Sequence, residues 1–194
     1  MKNKERIAEA KSKARKFFQD KRANCAESVF KAIHEMVSSA LPIQVSALFT
    51  PLGGGVGIRG ENCGAMLAGV MALGLVHGRF DPAHGSLEEH RKHLWDTYSL
   101  YNQLPQRFFQ KYGSLQCWDL TKPYVYGTRK CRGFCGDLIA ETAGMVMELL
   151  LEVEEKGLRF SFHRNLLSQA AEVTGLAEEE LIRLKEKGEP FPIS

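Results

Sequence analysis

Apolar residues recur at helical spacing through most of the chain, with no convincing series of alternating positions that would mark strands. Residues 4–18 set Ile7, Ala8, Ala14, Phe17 and Phe18 among charges, which predicts a first helix. Asn24-Cys25-Ala26-Glu27 reads as a capping box, Asn24 at the N-cap and Glu27 at N3, so that each satisfies an amide left unpaired by the helix. Val29, Phe30, Ile33, Met36 and Val37 follow at spacings of three and four. Pro42 ends that helix or starts the next element. A short helix is expected over 43–49, stopped before Pro51.

Five of the nine residues from Leu52 to Gly60 are glycine, so this loop demands unusual dihedrals or close backbone approach. The next helix, about 62–77, carries Ala65, Ala68, Gly69 and Ala72 on one face, and small residues let a neighbouring helix approach closely. It reads as the central helix, stopped by Gly78. Ser86 and Glu89 form a second capping box, opening a helix over about 87–111 with Leu94, Trp95, Tyr98, Tyr101 and Leu104 toward the core. Pro105 argues for a kink or break within it. Gly113-Ser114 restarts a short helix holding Leu115, Cys117 and Leu120, and 121–130 reads as a loop. A strong apolar helix is expected from Gly136 to about Glu155. Two further helical patterns, 162–173 and 177–187, are separated by Gly175. With no internal repeat, the predicted class is all-α: a compact multi-helix bundle in which a glycine-rich loop leads into a small-residue central helix.

Composition adds little to this picture: 44% hydrophobic and 25% charged residues are ordinary for a globular chain. The charge is uneven. Residues 1–22 hold nine Lys/Arg against three Asp/Glu, and a solvated helical face accounts for that run better than contact with nucleic acid or lipid. The expected organisation is a basic N-terminal helix (1–22), a cysteine-containing helical core (23–154) and a C-terminal helical extension (155–194). The N-terminus has no apolar h-region, and the longest apolar stretch, Cys63 to His77, falls short of the ~20 residues of a bilayer span. A cytoplasmic protein without a transmembrane segment is expected.

The five cysteines change the picture most. They are too few for a disulfide scaffold, and their odd number leaves one unpaired within the chain. Cys25, Cys63, Cys117 and Cys135 each lie where a helix is predicted to begin. Unpaired N–H groups and partial positive charge there favour a thiolate, the form that attacks disulfides and binds metals. Other candidates are weaker. His90 and His93 are spaced to share a helix face, but they read as a polar surface beside Arg91 and Lys92. GGGVGIRG lacks the Lys-Ser/Thr of a phosphate loop. Arg59 and Glu61 flank the glycine loop, where either could orient a substrate or tune the charge near Cys63. Trp118 and Asp119 adjoin Cys117.

Taken together, NCAESV (24–29), GGGVGIRGENCGAMLAG (53–69), GSLQCWDL (113–120) and CRGFCGDLIAETAGMVMELL (131–150) resemble the redox-active family named for its motif C_GCAxxG_C_C. The resemblance covers roughly residues 20–152. Cys25 matches the first family cysteine, and Cys63, followed by Gly64 and Ala65, matches the cysteine of CGAxxG. Ala68 stands where the motif ends in glycine, with Gly69 one later. Cys117 matches the third cysteine and Cys135 the fourth, with Cys131 as an extra thiol or substitute ligand. The resemblance implies a helical fold and a redox role.

The sulfurs leave three options open: thiol–disulfide exchange, an iron–sulfur cluster on four thiolates, or zinc, the last disfavoured by the absence of CxxC knuckles. The expected activity is that of an oxidoreductase working with an unidentified redox partner. Cys63 is the expected key sulfur, Cys25, Cys117 and Cys135 are its partner thiols or ligands, and Gly64, Ala65 and Arg59 are placed beside any cofactor. Pairing between chains of a homodimer stays open beside pairing within one. The rival reading is a non-catalytic helical binding module with structural or zinc-binding cysteines.

Overall fold

A computed structural model describes residues 3–79, 81–163, 166–190 and 192. The described elements are α1 (Asn3–Gln19), α2 (Cys25–His34), a 3-10 helix (Ile43–Leu52), α3 (Gly64–His77), α4 (Leu87–Tyr112), α5 (Cys117–Thr121), α6 (Arg129–Lys156), α7 (Leu166–Thr174) and α8 (Glu178–Lys187). Among the described residues the only β pairing is an isolated antiparallel bridge between Asn62 and Gln116. The fold is an all-α bundle.

The first helix is built into the bundle. Its Ala10 and Ala14 are fully buried and it runs antiparallel along α6, where the Lys11 side chain crosses Gly144. Its basic residues meet α6 carboxylates: Arg6 with Glu154 at 2.7 Å, Lys11 with Glu141 at 2.9 Å, and Arg15 with Asp137. Part of the charge of the N-terminal segment is thus the counterpart of an acidic face on α6.

The predicted small-residue face of α3 is buried as a unit, Ala65, Ala68, Gly69 and Ala72 all lying inside. A Cβ on Gly69 would come within 2.6 Å of Leu104 on α4 and 3.0 Å of Val146 on α6, so this position sets how closely three helices approach. Both predicted capping boxes form, at Asn24/Glu27 and Ser86/Glu89.

Four local expectations are corrected. The 43–49 helix is a 3-10 helix that continues through Pro51 to Leu52, anchored by Phe49 stacked on Phe30 at 4.0 Å. Pro105 lies inside an uninterrupted α4, held by buried Leu100, Leu104 and Phe108 on either side. The buried stripe of that helix passes through Thr97, Leu100, Leu104 and Phe108, leaving Tyr98 51% exposed rather than in the core. Finally, α6 begins at Arg129, not near Gly136, with Thr128 as its N-cap accepting from the Cys131 amide; Gly133 and Gly136 mask that start in the sequence.

The C-terminal extension is fastened to α4. Buried Gln103 donates to the Ser161 carbonyl at 2.7 Å, and Asn102 exchanges hydrogen bonds with the His163 backbone at 2.9 and 2.6 Å. No helix among the described residues is long and apolar enough to cross a membrane.

Candidate functional site

Four chain segments deliver cysteines to the start of a helix. At α2, Asn24 Oδ1 accepts from the amides of Ala26 and Glu27 at 2.9 and 3.0 Å, which places Cys25 in the first turn. The same asparagine donates through Nδ2 to the Thr50 carbonyl at 3.0 Å, and Thr50 Oγ1 donates to Glu27 at 2.6 Å. The cap therefore ties the 3-10 helix to α2 as well as satisfying amides.

The glycine loop that follows winds left-handed. Gly54, Gly55, Val56, Gly57 and Ile58 have φ of +64°, +68°, +61°, +59° and +67°. For β-branched Val56 and Ile58 this is strained backbone, retained because Gly57 and Ile58 amides donate to Pro51 and Gly53 carbonyls at 2.8 and 3.0 Å. Glycine is required at 55, where a Cβ would come within 2.6 Å of Cys117 Cβ. The loop ends at Cys63, the N-cap of α3.

Cys63 and Cys117 meet across the small bridge. The Cys63 amide donates to the Leu115 carbonyl and the Cys117 amide to the Glu61 carbonyl, each at 2.7 Å. With Asn62 opposite Gln116, Cys63 and Cys117 fall on the same side as diagonal neighbours, whose α-carbons in such a ladder stand about 7–8 Å apart. Cys117 then opens the five-residue α5.

The fourth expected helix-terminal cysteine is corrected. Cys135 lies in the second turn of α6, because the helix starts earlier than the sequence suggested. Cys131, in the first turn, is one helical turn before it on the same face. Both project into the same space as the other three. Cys25, Cys63, Cys117, Cys131 and Cys135 all line one cavity of about 620 Å³. All are free thiols, with Cys63 and Cys131 buried and Cys25, Cys117 and Cys135 partly exposed.

The cavity wall also carries Lys21, Arg22, Arg132 and Tyr126, which the sequence reading did not single out. Lys21 and Arg22 sit three and two residues before the N-cap Asn24, and Arg132 lies between the two α6 cysteines, so their nearness to the motif was the available signal. Gly64 and Ala65 are buried in the first turn of α3. Arg59 is exposed, reaches toward Glu61 at 3.5 Å, and is not among the cavity-lining residues. His93 is engaged elsewhere, within 2.9 Å of the His77 carbonyl.

Electrostatics reverse the expectation of thiolates. Burial pushes the Cys63 thiol up to about 12, with Cys25 adding to the rise and the Met66 and Ala65 amides opposing it. Burial likewise raises Cys117 to about 11, and it raises Cys25 against the amides of Gly54, Ala26 and Ala65. Cys135 is raised by burial and by Cys131 beside it. Helix N-termini do act on these sulfurs, but desolvation and mutual repulsion outweigh them. Cys25, Cys63, Cys117 and Cys135 therefore rest as neutral thiols.

Among the described residues no three His, Cys, Asp or Glu side chains stand close enough together to hold a single metal ion. Cysteine sulfur is the donor type that an iron–sulfur cluster takes, and its positive iron centres would offset the burial and mutual repulsion that raise these thiols.

Residues 23–149 match the family described as "Putative redox-active protein (C_GCAxxG_C_C)". No curated protein and no solved structure matches the chain.

Proposed function

The chain belongs to the C_GCAxxG_C_C family, and on that premise we propose that it is a redox protein working by thiol–disulfide exchange in the cysteine cavity. The observation that carries the reading is the convergence of five free thiols, from four segments, on one cavity. Burial penalises a thiolate but not an uncharged disulfide, so the reduced form gains no thiolate stabilisation here. A couple of that kind is reducing in character, the opposite of one whose reduced form is a stabilised thiolate.

Cys117, partly exposed, is the sulfur that meets the partner. Cys63 is the central sulfur, flanked by Cys117 across the bridge and electrostatically coupled to Cys25. Exchange begins when Cys117 loses its proton and attacks a partner disulfide, releasing one thiol. A second cavity thiol then displaces the other half. Two cysteine thiols and one disulfide become one protein disulfide and two thiols.

The test is Cys63→Ser. Both proteins are equilibrated with dithiothreitol buffers of graded potential, and free thiols are counted by alkylation and mass spectrometry. Wild type loses a pair of thiols on oxidation, whereas the variant loses none at that potential and keeps its far-ultraviolet dichroism. An unchanged oxidation curve in the variant would remove Cys63 from the centre.

A second reading is favoured by the number of thiols, which exceeds what one disulfide needs. Cys25, Cys63, Cys117 and Cys135, with Cys131 as substitute, would hold an iron–sulfur cluster, which would supply one-electron transfer. A visible spectrum of protein purified without oxygen, with iron analysis of the same sample, separates the two: charge-transfer absorption that bleaches with reductant supports the cluster.

A further inference from the structure

We propose that the cysteine cavity is a binding site for small anionic disulfides, held by Lys21, Arg22 and Arg132; this rests on the thiol-exchange reading and adds the class of substrate. The observation is a charge asymmetry. Three cationic side chains line the cavity, and no carboxylate or imidazole does. Several basic side chains elsewhere meet acidic ones: Arg6 meets Glu154, Lys11 and Lys111 share Glu141, and Arg107 meets Glu152. Lys21, Arg22 and Arg132 form no ion pair among the described residues. Lys21 and Arg22 are exposed and Arg132 is half-buried, and all three border a cavity lined by five sulfurs.

Their placement is specific. Lys21 has φ +58° at the turn between α1 and α2, a conformation in which glycine or asparagine is the unstrained choice. Strain of that sort is retained where the surroundings over-determine it, and it concentrates at ligand sites. Arg132 is fixed by a 3.0 Å hydrogen bond from Nη2 to the Phe18 carbonyl and by stacking 4.5 Å from the Phe18 ring centroid. The rest of its guanidinium fork remains for a carboxylate. The cavity volume, about 620 Å³, falls within the range of small-ligand pockets.

The chemistry requires a ligand that is both soft and negative. A disulfide supplies the sulfur that Cys117 attacks, and carboxylates on either half supply the charge that the cations hold. Net, two cavity thiols and one such disulfide give one protein disulfide and two carboxylate-bearing thiols. The proton lost from the attacking thiol is returned to the departing one through solvent.

The experiment compares two chromogenic probes on the full chain: dithiobis(nitrobenzoate), which carries two carboxylates, and dithiodipyridine, which is uncharged. Each rate is normalised to that of mercaptoethanol. At low salt the anionic probe is expected to show a normalised excess of about tenfold, falling as salt screens it. The excess disappears in Lys21→Asn/Arg22→Gln, where asparagine keeps the left-handed turn. It persists in Arg183→Gln/Lys187→Asn, which removes the same net charge on α8. An excess that survives the first double variant, or a normalised ratio of one in wild type, overturns the inference and leaves thiol exchange standing. No reaction with either probe overturns the thiol-exchange reading itself.

Discussion

The Cys25 sulfur rests against the backbone of Gly64: a Cβ built on Gly64 would stand 3.0 Å from that sulfur and would strike the Leu52 carbonyl oxygen. The glycine after Cys63 is therefore where three parts of the site meet: the first turn of α2, the end of the 3-10 helix and the first turn of α3.

Gly64→Ala should cost about 1–3 kcal/mol, the usual range for overpacking a close contact. Chemical denaturation gives the loss. Because the added methyl displaces the Cys25 sulfur, alkylation of Cys25 at fixed pH should also become faster, as followed by peptide mass spectrometry. Unchanged stability would mean that the segments part freely at this point.

Thiol reactivity should track the raised pKa values. With Cys117 near 11 and Cys63 near 12, alkylation of Cys117 should rise about tenfold per pH unit across pH 7–10, because thiolate fraction sets the rate. Cys63 should react later still. A plateau near pH 8 would show that the site holds thiolates after all.

The same shifts set a stability trend with a definite sign. The folded protein holds these protons more tightly than the unfolded chain, whose cysteines titrate near 9. The contribution is complete below pH 9 and is lost as pH rises from there through the folded values toward 12. Denaturation midpoints should fall over that window, and replacing Cys63 with Ala should flatten the fall.

Asn24→Ala removes a side chain that caps α2 and bonds the Thr50 carbonyl. A loss of about 1–2 kcal/mol is expected, the high end for a cap. Asn24→Asp, which retains the capping oxygen and loses the bond to Thr50, should cost less.

Ile58→Gly should be neutral or stabilising by up to about 1 kcal/mol. Ile58 is 69% exposed and has φ +67°, so little burial is lost while glycine removes the strain. A large loss of stability would mean that the isoleucine side chain holds the loop against the cavity.

How far the site was legible in sequence follows from what each signal depends on. Asn24 with Glu27 and Ser86 with Glu89 were readable because a capping box is a bargain between neighbours in sequence. The buried face of α3 was readable because its small residues repeat at helical period. The start of α6 was not: Gly133 and Gly136 look like breakers, yet Thr128 caps an earlier start and the burial of Leu138, Ile139 and Ala143 carries the helix. Pro105 failed as a break for the same reason.

Local chemistry in the chain thus settles the helical class, most of the caps, the glycine demand at 53–60 and the family motif with its four-part order of cysteines. Tertiary structure alone decides that Cys131 joins the other four in one cavity, that Lys21, Arg22 and Arg132 border it without carboxylates, and that Cys25, Cys63, Cys117 and Cys135 are held as neutral thiols. Those outcomes depend on desolvation and on approach between segments remote in sequence. A helix N-terminus read in isolation favours a thiolate; the same N-terminus buried among other sulfurs does not.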